Sequence, residues 1–214
     1  MKILIVAATK GEIAPTIDLI EKINFSKNQY AVTFLITGVG MVNTTHNLTK
    51  KIYLDKPDFC IQAGIAGSFI DKIAIGDLVN VSEDIFSELG VEDGNNFLPA
   101  HEINLIDDIG IKNDFTHYLL SEYFLDLKEV RGITVNTVHG NIESINKVEK
   151  RLQPYVESME GAAFLKVCKE ESIPCIQIRS ISNKVEKRNR DNWNIPLAIK
   201  NLNDYLIQFI HSLK

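Results

Sequence analysis

Three polar side chains in this sequence stand where an α/β protein keeps its chemistry: Glu12, Glu160 and Asn183. Glu12 ends the stretch Thr9-Lys10-Gly11-Glu12, which breaks the apolar run Ile3–Ala8. Asn183 ends Ser180-Ile181-Ser182-Asn183, which follows the apolar run Pro174–Ile178. Two more stretches, Thr37-Gly38-Val39-Gly40 and Gly64-Ile65-Ala66-Gly67-Ser68, also follow apolar runs and read as turns. In an open α/β sheet the carboxyl ends of neighbouring strands gather around one crevice, so these four turns are expected to converge. A carboxylate there can take a proton from water or accept hydrogen bonds from a vicinal diol, whereas an amide both donates and accepts. Each residue also has a plainer reading. Glu12 and Glu160 suit the first turn of a helix, where a negative charge complements the macrodipole. Asn183 suits a turn or a cap, and small residues let a chain bend as readily as they let a ligand approach.

The elements that must position these residues are written in the hydrophobic pattern. The continuous apolar run over 3–8 predicts a strand buried on both faces, 174–178 predicts another buried strand, and 30–36, 59–63, 77–84 and 132–138 predict four more strands. Helical periodicity marks 13–23, about 41–54, 160–171 and 194–212, the last with Ile195, Ile199, Leu202, Leu206 and Ile210 as its spine. Residues 87–127 are the least regular part, with Gly94, Asn95, Asn96 and Pro99 marking a loop. Strands alternating with helices predict an α/β fold: one domain over 1–214, with a central, mixed, mostly parallel twisted sheet flanked by helices. The segment Gly38-Val39-Gly40-Met41-Val42-Asn43 invites a dinucleotide reading, but it lacks the third glycine and follows the second strand.

The bulk composition narrows the partners. The chain has 214 residues, 45% apolar and 24% charged, with a net charge of −5. That profile suits a globular protein and argues against nucleic acid or an anionic membrane as partner. Cys60, Cys168 and Cys175 sit in apolar contexts and read as reduced thiols of a cytoplasmic core. No cysteine or histidine spacing suggests a metal site. The first apolar run is too short for a leader or a membrane span. All five arginines lie after residue 130, so the early strand-turn segments lack the side chain that grips phosphate in bidentate fashion.

Several pieces in register resemble the nucleoside phosphorylase and nucleosidase superfamily, which includes methylthioadenosine/S-adenosylhomocysteine nucleosidase. They are the first strand ending at Glu12, Thr37–Gly40, Ala63–Gly67, Ile75–Val79, Ser158–Ala163 and Arg179–Asn183. Within it, Ile181-Ser182-Asn183 and the run Arg188–Trp193 look most like the futalosine hydrolases of an alternative menaquinone pathway. The resemblance implies hydrolysis of a purine N-glycosidic bond without metal or organic cofactor, on a small nucleoside, in a homo-oligomer whose neighbouring subunit completes the pocket. It implies that Glu12 activates water, that Glu160 holds the ribose hydroxyls with Met159 against the sugar, that Ser182 positions Asn183, and that Asn183 faces the base. Gly64, Ala66 and Gly67 would let the substrate approach the backbone.

Adenine-specific relatives carry aspartate at the Asn183 position. An amide can donate to O6 and accept from N7–H of a 6-oxopurine, which points to hypoxanthine as the leaving base. The missing early arginines point to water rather than phosphate as the nucleophile, although Lys10 keeps a phosphorylase of inosine-like nucleosides open. A methylthioadenosine nucleosidase, a non-catalytic nucleoside sensor and, more distantly, a dinucleotide-dependent oxidoreductase are the other readings. Two departures stand out. Ile65 replaces a serine found in many nucleosidases, and no base-stacking aromatic is evident around Val138-His139-Gly140-Asn141, where His139 is either a contributor or a loop residue. Lys184, Lys187, Arg188 and Arg190 read equally as a site for a substrate carboxylate and as a solvated loop.

Overall fold

The computed structural model describes residues 1–23, 30–94, 96–113, 121–124 and 126–213. Its first strand, β1 (Lys2–Ala7), is buried on both faces from Ile3 onward, as its unbroken apolar run requires. It pairs in parallel with β2 (Ala31–Ile36) on one side and β3 (Phe59–Ser68) on the other. The chain then adds β4 (Leu78–Phe86), a hairpin of β5 (Gly90–Asp93) and β6 (Asn96–Pro99), then β7 (Gly110–Lys112), β8 (Lys128–Thr134), β9 (Val156–Ser158) and β10 (Cys175–Lys184). The helices are α1 (Lys10–Ile23), α2 (Met41–Asp55), α3 (Ile142–Leu152), α4 (Gly161–Glu170) and α5 (Ile195–Ser212).

The sheet is mixed and mostly parallel, as the alternation of elements predicts. It also curls. β3 pairs with β10, β10 with β4, β4 with β8, β8 with β9, and β9 returns to β3, so five strands close a ring from which β1 and β2 extend. One apolar core joins α1 and α5 to one face of the sheet, through Ile13, Ile17, Leu202, Leu206 and Ile210 against Ile3, Ile5, Phe59 and Ile61. A second joins α2 and α4 to the opposite face, through Leu48, Ile52, Phe164 and Val167 against Leu4, Val6 and Cys60. Cys60, Cys168 and Cys175 are free and buried in that second core, and burial pushes the Cys168 thiol well up, which leaves it a poor nucleophile.

Four expectations need correction. Gly64–Ser68 and Ser180–Asn183 are not turns but continuations of β3 and β10, which stay paired in parallel out to Ser68 and Lys184. Pairing across the ring satisfies their backbone groups, which outweighs the turn character of glycine and serine. The strand expected over 132–138 is β8, displaced to 128–134 and set by its register with β4. Part of the expected loop is the β5–β6 hairpin, although Asn95 lies outside the described residues. Finally, α3 was not foreseen: Asn141 caps it, its side chain accepting from the Glu143 and Ser144 N–H groups. No helix among the described residues is long and apolar enough to cross a membrane.

Candidate active site

Glu12 sits in the first turn of α1, but its side chain folds back instead of facing solvent. Oε2 accepts from the Thr9 N–H (2.9 Å) and hydroxyl (3.0 Å), and Oε1 accepts from the Ile65 N–H on β3 (3.1 Å). The Ile65 position therefore contributes through its backbone, whatever its side chain. Just beyond, Pro15 cannot donate to the helix ladder. Asn203 of α5 braces this point, accepting from the Thr16 N–H and hydroxyl and donating to the Glu12 carbonyl. The first turn of α1 is thus tied to both β3 and α5.

Glu160 is the N-cap of α4 and is buried. Its Oε1 accepts from the Gly40 N–H at 3.0 Å, where a φ of 92° suits glycine. Gly64 lies between Glu12 and a fully buried arginine: a Cβ built there would lie 2.9 Å from Glu12 Oε1 and 2.5 Å from Arg179 Nη1. Arg179 Nη1 lies 3.7 Å from Glu160 Oε2, and its Nε donates to Gln177 Oε1 at 2.9 Å. Gln177 in turn donates to Asp84 at 3.0 Å, and Thr134 donates to Asp84 at 2.8 Å. Gly161 gives room for this chain, since a Cβ there would fall 2.0 Å from Asp84 Oδ2 and 2.3 Å from Gln177 Oε1. The small residues after Glu160 therefore serve a buried side-chain relay.

That relay has a measurable signature. Burial pushes the Asp84 carboxyl from 3.8 to about 6, partly offset by its bonds to Gln177 and Thr134 and by the charge of Arg179. Because the folded value is the higher one, this group's contribution to stability is fully present below pH 3.8 and is lost as pH rises through about 6. Wild type should therefore gain on Asp84→Asn by about 1 kcal/mol on going from about pH 7.5 to about pH 5. Urea unfolding of both proteins measures the gap, and a gap that does not change with pH means the acid titrates normally.

Asn183 owes its placement to a bulge. In the β10–β3 register, Ile181 opposes Ala66 and Asn183 opposes Gly67, which leaves Ser182 unpaired. A bulge re-aims side chains, and here the consecutive residues Ser182 and Asn183 both line the cleft. Asn183 Nδ2 donates to the Lys184 carbonyl and Oδ1 accepts from the Ser182 hydroxyl, each at 2.8 Å. The carbonyl accepts only, so it fixes which end of the amide is which. One N–H and one lone pair of Oδ1 are left over.

Glu12, Ala66, Gly67, Met159, Glu160, Ser182 and Asn183 line one cleft of about 380 Å³; Gly64 lies behind its wall. Several residues escaped sequence reasoning. Arg179 was visible only as a cation inside an apolar strand, a signal that a buried partner exists. Glu157 lines the cleft and pairs with His139, which the sequence had left unassigned. The basic run divides. Arg188 and Trp193 reach the cleft, with the guanidinium 5.1 Å from the ring centroid, whereas Lys184 turns to the Ile70 carbonyl and Asp71.

A sequence profile of the phosphorylase superfamily matches residues 2–211. A futalosine hydrolase of Thermus thermophilus is 26% identical over 176 residues, covering 79% of this chain and 76% of that protein. A 5'-methylthioadenosine/S-adenosylhomocysteine nucleosidase of Haemophilus ducreyi is 26% identical over 203 residues, covering 86% and 82%. Among solved structures, the futalosine hydrolase of Helicobacter pylori has a TM-score of 0.82 at 18% identity, over 100% of this chain and 98% of that one. The same organism's 5'-methylthioadenosine/S-adenosylhomocysteine nucleosidase has a TM-score of 0.81 at 19% identity, over 100% and 99%. These structural likenesses show the fold. The profile spans nearly the whole length, and by that match the chain belongs to the phosphorylase superfamily.

Proposed function

We propose that this protein is a purine nucleosidase that hydrolyses the N-glycosidic bond of futalosine and releases hypoxanthine, as a step toward menaquinone. The observation that carries the substrate choice is the Asn183 amide. Held by Lys184 and Ser182, it offers the cleft one donor and one acceptor. O6 of hypoxanthine needs a donor and its N7–H needs an acceptor, whereas the 6-amino group of adenine presents a second donor. Glu12 takes the proton of the water that attacks C1′. Glu160 keeps lone pairs free for the ribose hydroxyls, and Met159 packs against the sugar. Arg179 is buried against Gln177 and Glu160 and does not line the cleft, which supports water over phosphate as the nucleophile. Arg188 on the cleft wall suits the carboxylate of futalosine. Reduced core cysteines fit a cytoplasmic enzyme. A homo-oligomer would cover the open side of the cleft, where Thr9 and Gly11 are exposed.

A methylthioadenosine nucleosidase is the second reading, favoured by the Haemophilus relative and by the apolar Val39, Ile195 and Ile199 in the same cleft. The test is turnover of futalosine, inosine and methylthioadenosine in phosphate-free buffer. Futalosine should be cleaved fastest, with hypoxanthine as the product. A strict need for phosphate sinks the hydrolase, and a preference for methylthioadenosine sinks the reading of the amide.

A further inference from the structure

A nucleosidase of this kind lacks an evident acid for its leaving group, because the Asn183 amide cannot release a proton near neutral pH. The cleft holds another group that can. Glu157, buried on β9, accepts from the His139 N–H at 3.0 Å through Oε1, and its Oε2 lies 2.6 Å from His139 Nδ1. Both residues line the cleft, and the imidazole is largely enclosed, with Phe69 edge-on at 6.3 Å. A carboxylate accepts only, so Nδ1 carries its proton toward Glu157 and Nε2 is the nitrogen left for a ligand. Gly67 places the pair beside the base-reading amide. A Cβ built there would lie 3.2 Å from Asn183 Nδ2 and 3.7 Å from Glu157 Cγ, so both side chains border one point. The charged neighbours of the imidazole are Glu157 from β9 and Arg188, whose N–H donates to the Gly140 carbonyl while its guanidinium turns onto Trp193.

Resting on the nucleosidase reading, we propose that His139, oriented by Glu157, is the general acid that protonates the departing purine. The C1′–N9 bond breaks and its electron pair goes to the purine. His139 acts as the imidazolium: Nδ1–H stays hydrogen-bonded to Glu157, and the Nε2 proton goes to a ring nitrogen of that base. The water oxygen bonds to C1′ and gives its proton to Glu12. Solvent then returns a proton to His139 and takes one from Glu12, so nucleoside and water become sugar and base. Glu157 is a positioning residue. It never meets the substrate in this scheme; it holds the ring with Nδ1–H on its carboxylate, so that Nε2–H faces the cleft.

The test compares wild type, His139→Gln and Glu157→Gln on inosine and on nitrophenyl β-riboside, whose phenolate leaves without a proton. On inosine, His139→Gln should lower kcat roughly 10²-fold or more. On the nitrophenyl riboside it should stay within about threefold of wild type, since no acid is needed there. Glu157→Gln should lower kcat on inosine by less than His139→Gln does, and should leave the nitrophenyl riboside within about threefold of wild type. Equal losses of His139→Gln on the two substrates mean that the pair only pins β9 to its neighbouring loop, and the proposal is wrong. An unchanged kcat on inosine overturns it as well. If wild type cleaves the nitrophenyl riboside but no purine nucleoside, the purine nucleosidase reading fails and the acid assignment falls with it.

Discussion

Glu12→Gln should lower kcat on the purine nucleoside by about 10²–10⁴-fold while nucleoside binding changes little, because in the proposed reaction it removes the general base and leaves the sugar and base contacts. The size of the loss has two sources. The amide cannot take a proton from water. It also cannot sit as the carboxylate does, since Oε1 faces the Ile65 N–H and Oε2 faces the Thr9 N–H. Whichever way the amide turns, its NH₂ meets a backbone donor, and a buried donor left without an acceptor costs about 1–3 kcal/mol. The side chain should therefore swing from the corner it shares with Ile65. Equilibrium binding of the nucleoside to the variant separates loss of chemistry from loss of the site. Unchanged turnover in Glu12→Gln would remove Glu12 from the chemistry and leave it as the brace between α1 and β3.

Much of the frame is legible from apolar pattern alone. β1 and the start of β3 are runs that only a doubly buried strand accommodates, β2 is an apolar run that forms the half-exposed edge strand beside β1, and the spine of α5 is a clear 3.6-residue repeat. What pattern could not carry is the path of β3 and β10 past residue 63 and residue 178. Gly64–Ser68 and Ser180–Asn183 are small and polar, and local composition reads as turn. Their strand character comes from the parallel pairing of β3 with β10, which runs from Cys60 and Cys175 out to Ser68 and Lys184, a long-range effect that no window sees. The bulge at Ser182 is hidden for the same reason, because register exists only between two strands. Glu12, Glu160 and Asn183 were legible as candidates because each stands at a break in an apolar pattern. Arg179 and Glu157 were not, since their role is set by what closes around them. Asp84 sits in the middle of β4, where an alternating strand gives no hint that one inward residue is charged.

The second large effect concerns the base. Asn183→Asp should lower kcat/KM on a 6-oxopurine nucleoside by about 10³–10⁴-fold, since a site built around a hydrogen-bond donor rejects a ligand that leaves polar groups unpaired. The local bonds say why the variant does not simply become adenine-specific. One carboxylate oxygen would keep the Ser182 hydroxyl as a donor. The other would face the Lys184 carbonyl, acceptor against acceptor, where the Asn183 NH₂ now sits at 2.8 Å. The aspartate must then bind a proton or turn away from the Lys184 carbonyl. The gain on 6-amino substrates should accordingly be smaller than the loss on 6-oxo ones. On the proposed reading, specificity is held by two layers, the amide and the carbonyl that orients it. The ratio of kcat/KM for inosine and adenosine, measured on both proteins, reports the change directly. A ratio that stays where wild type has it would mean that Asn183 does not read position 6 of the base, and that its hydrogen bonds serve only to close the bulge.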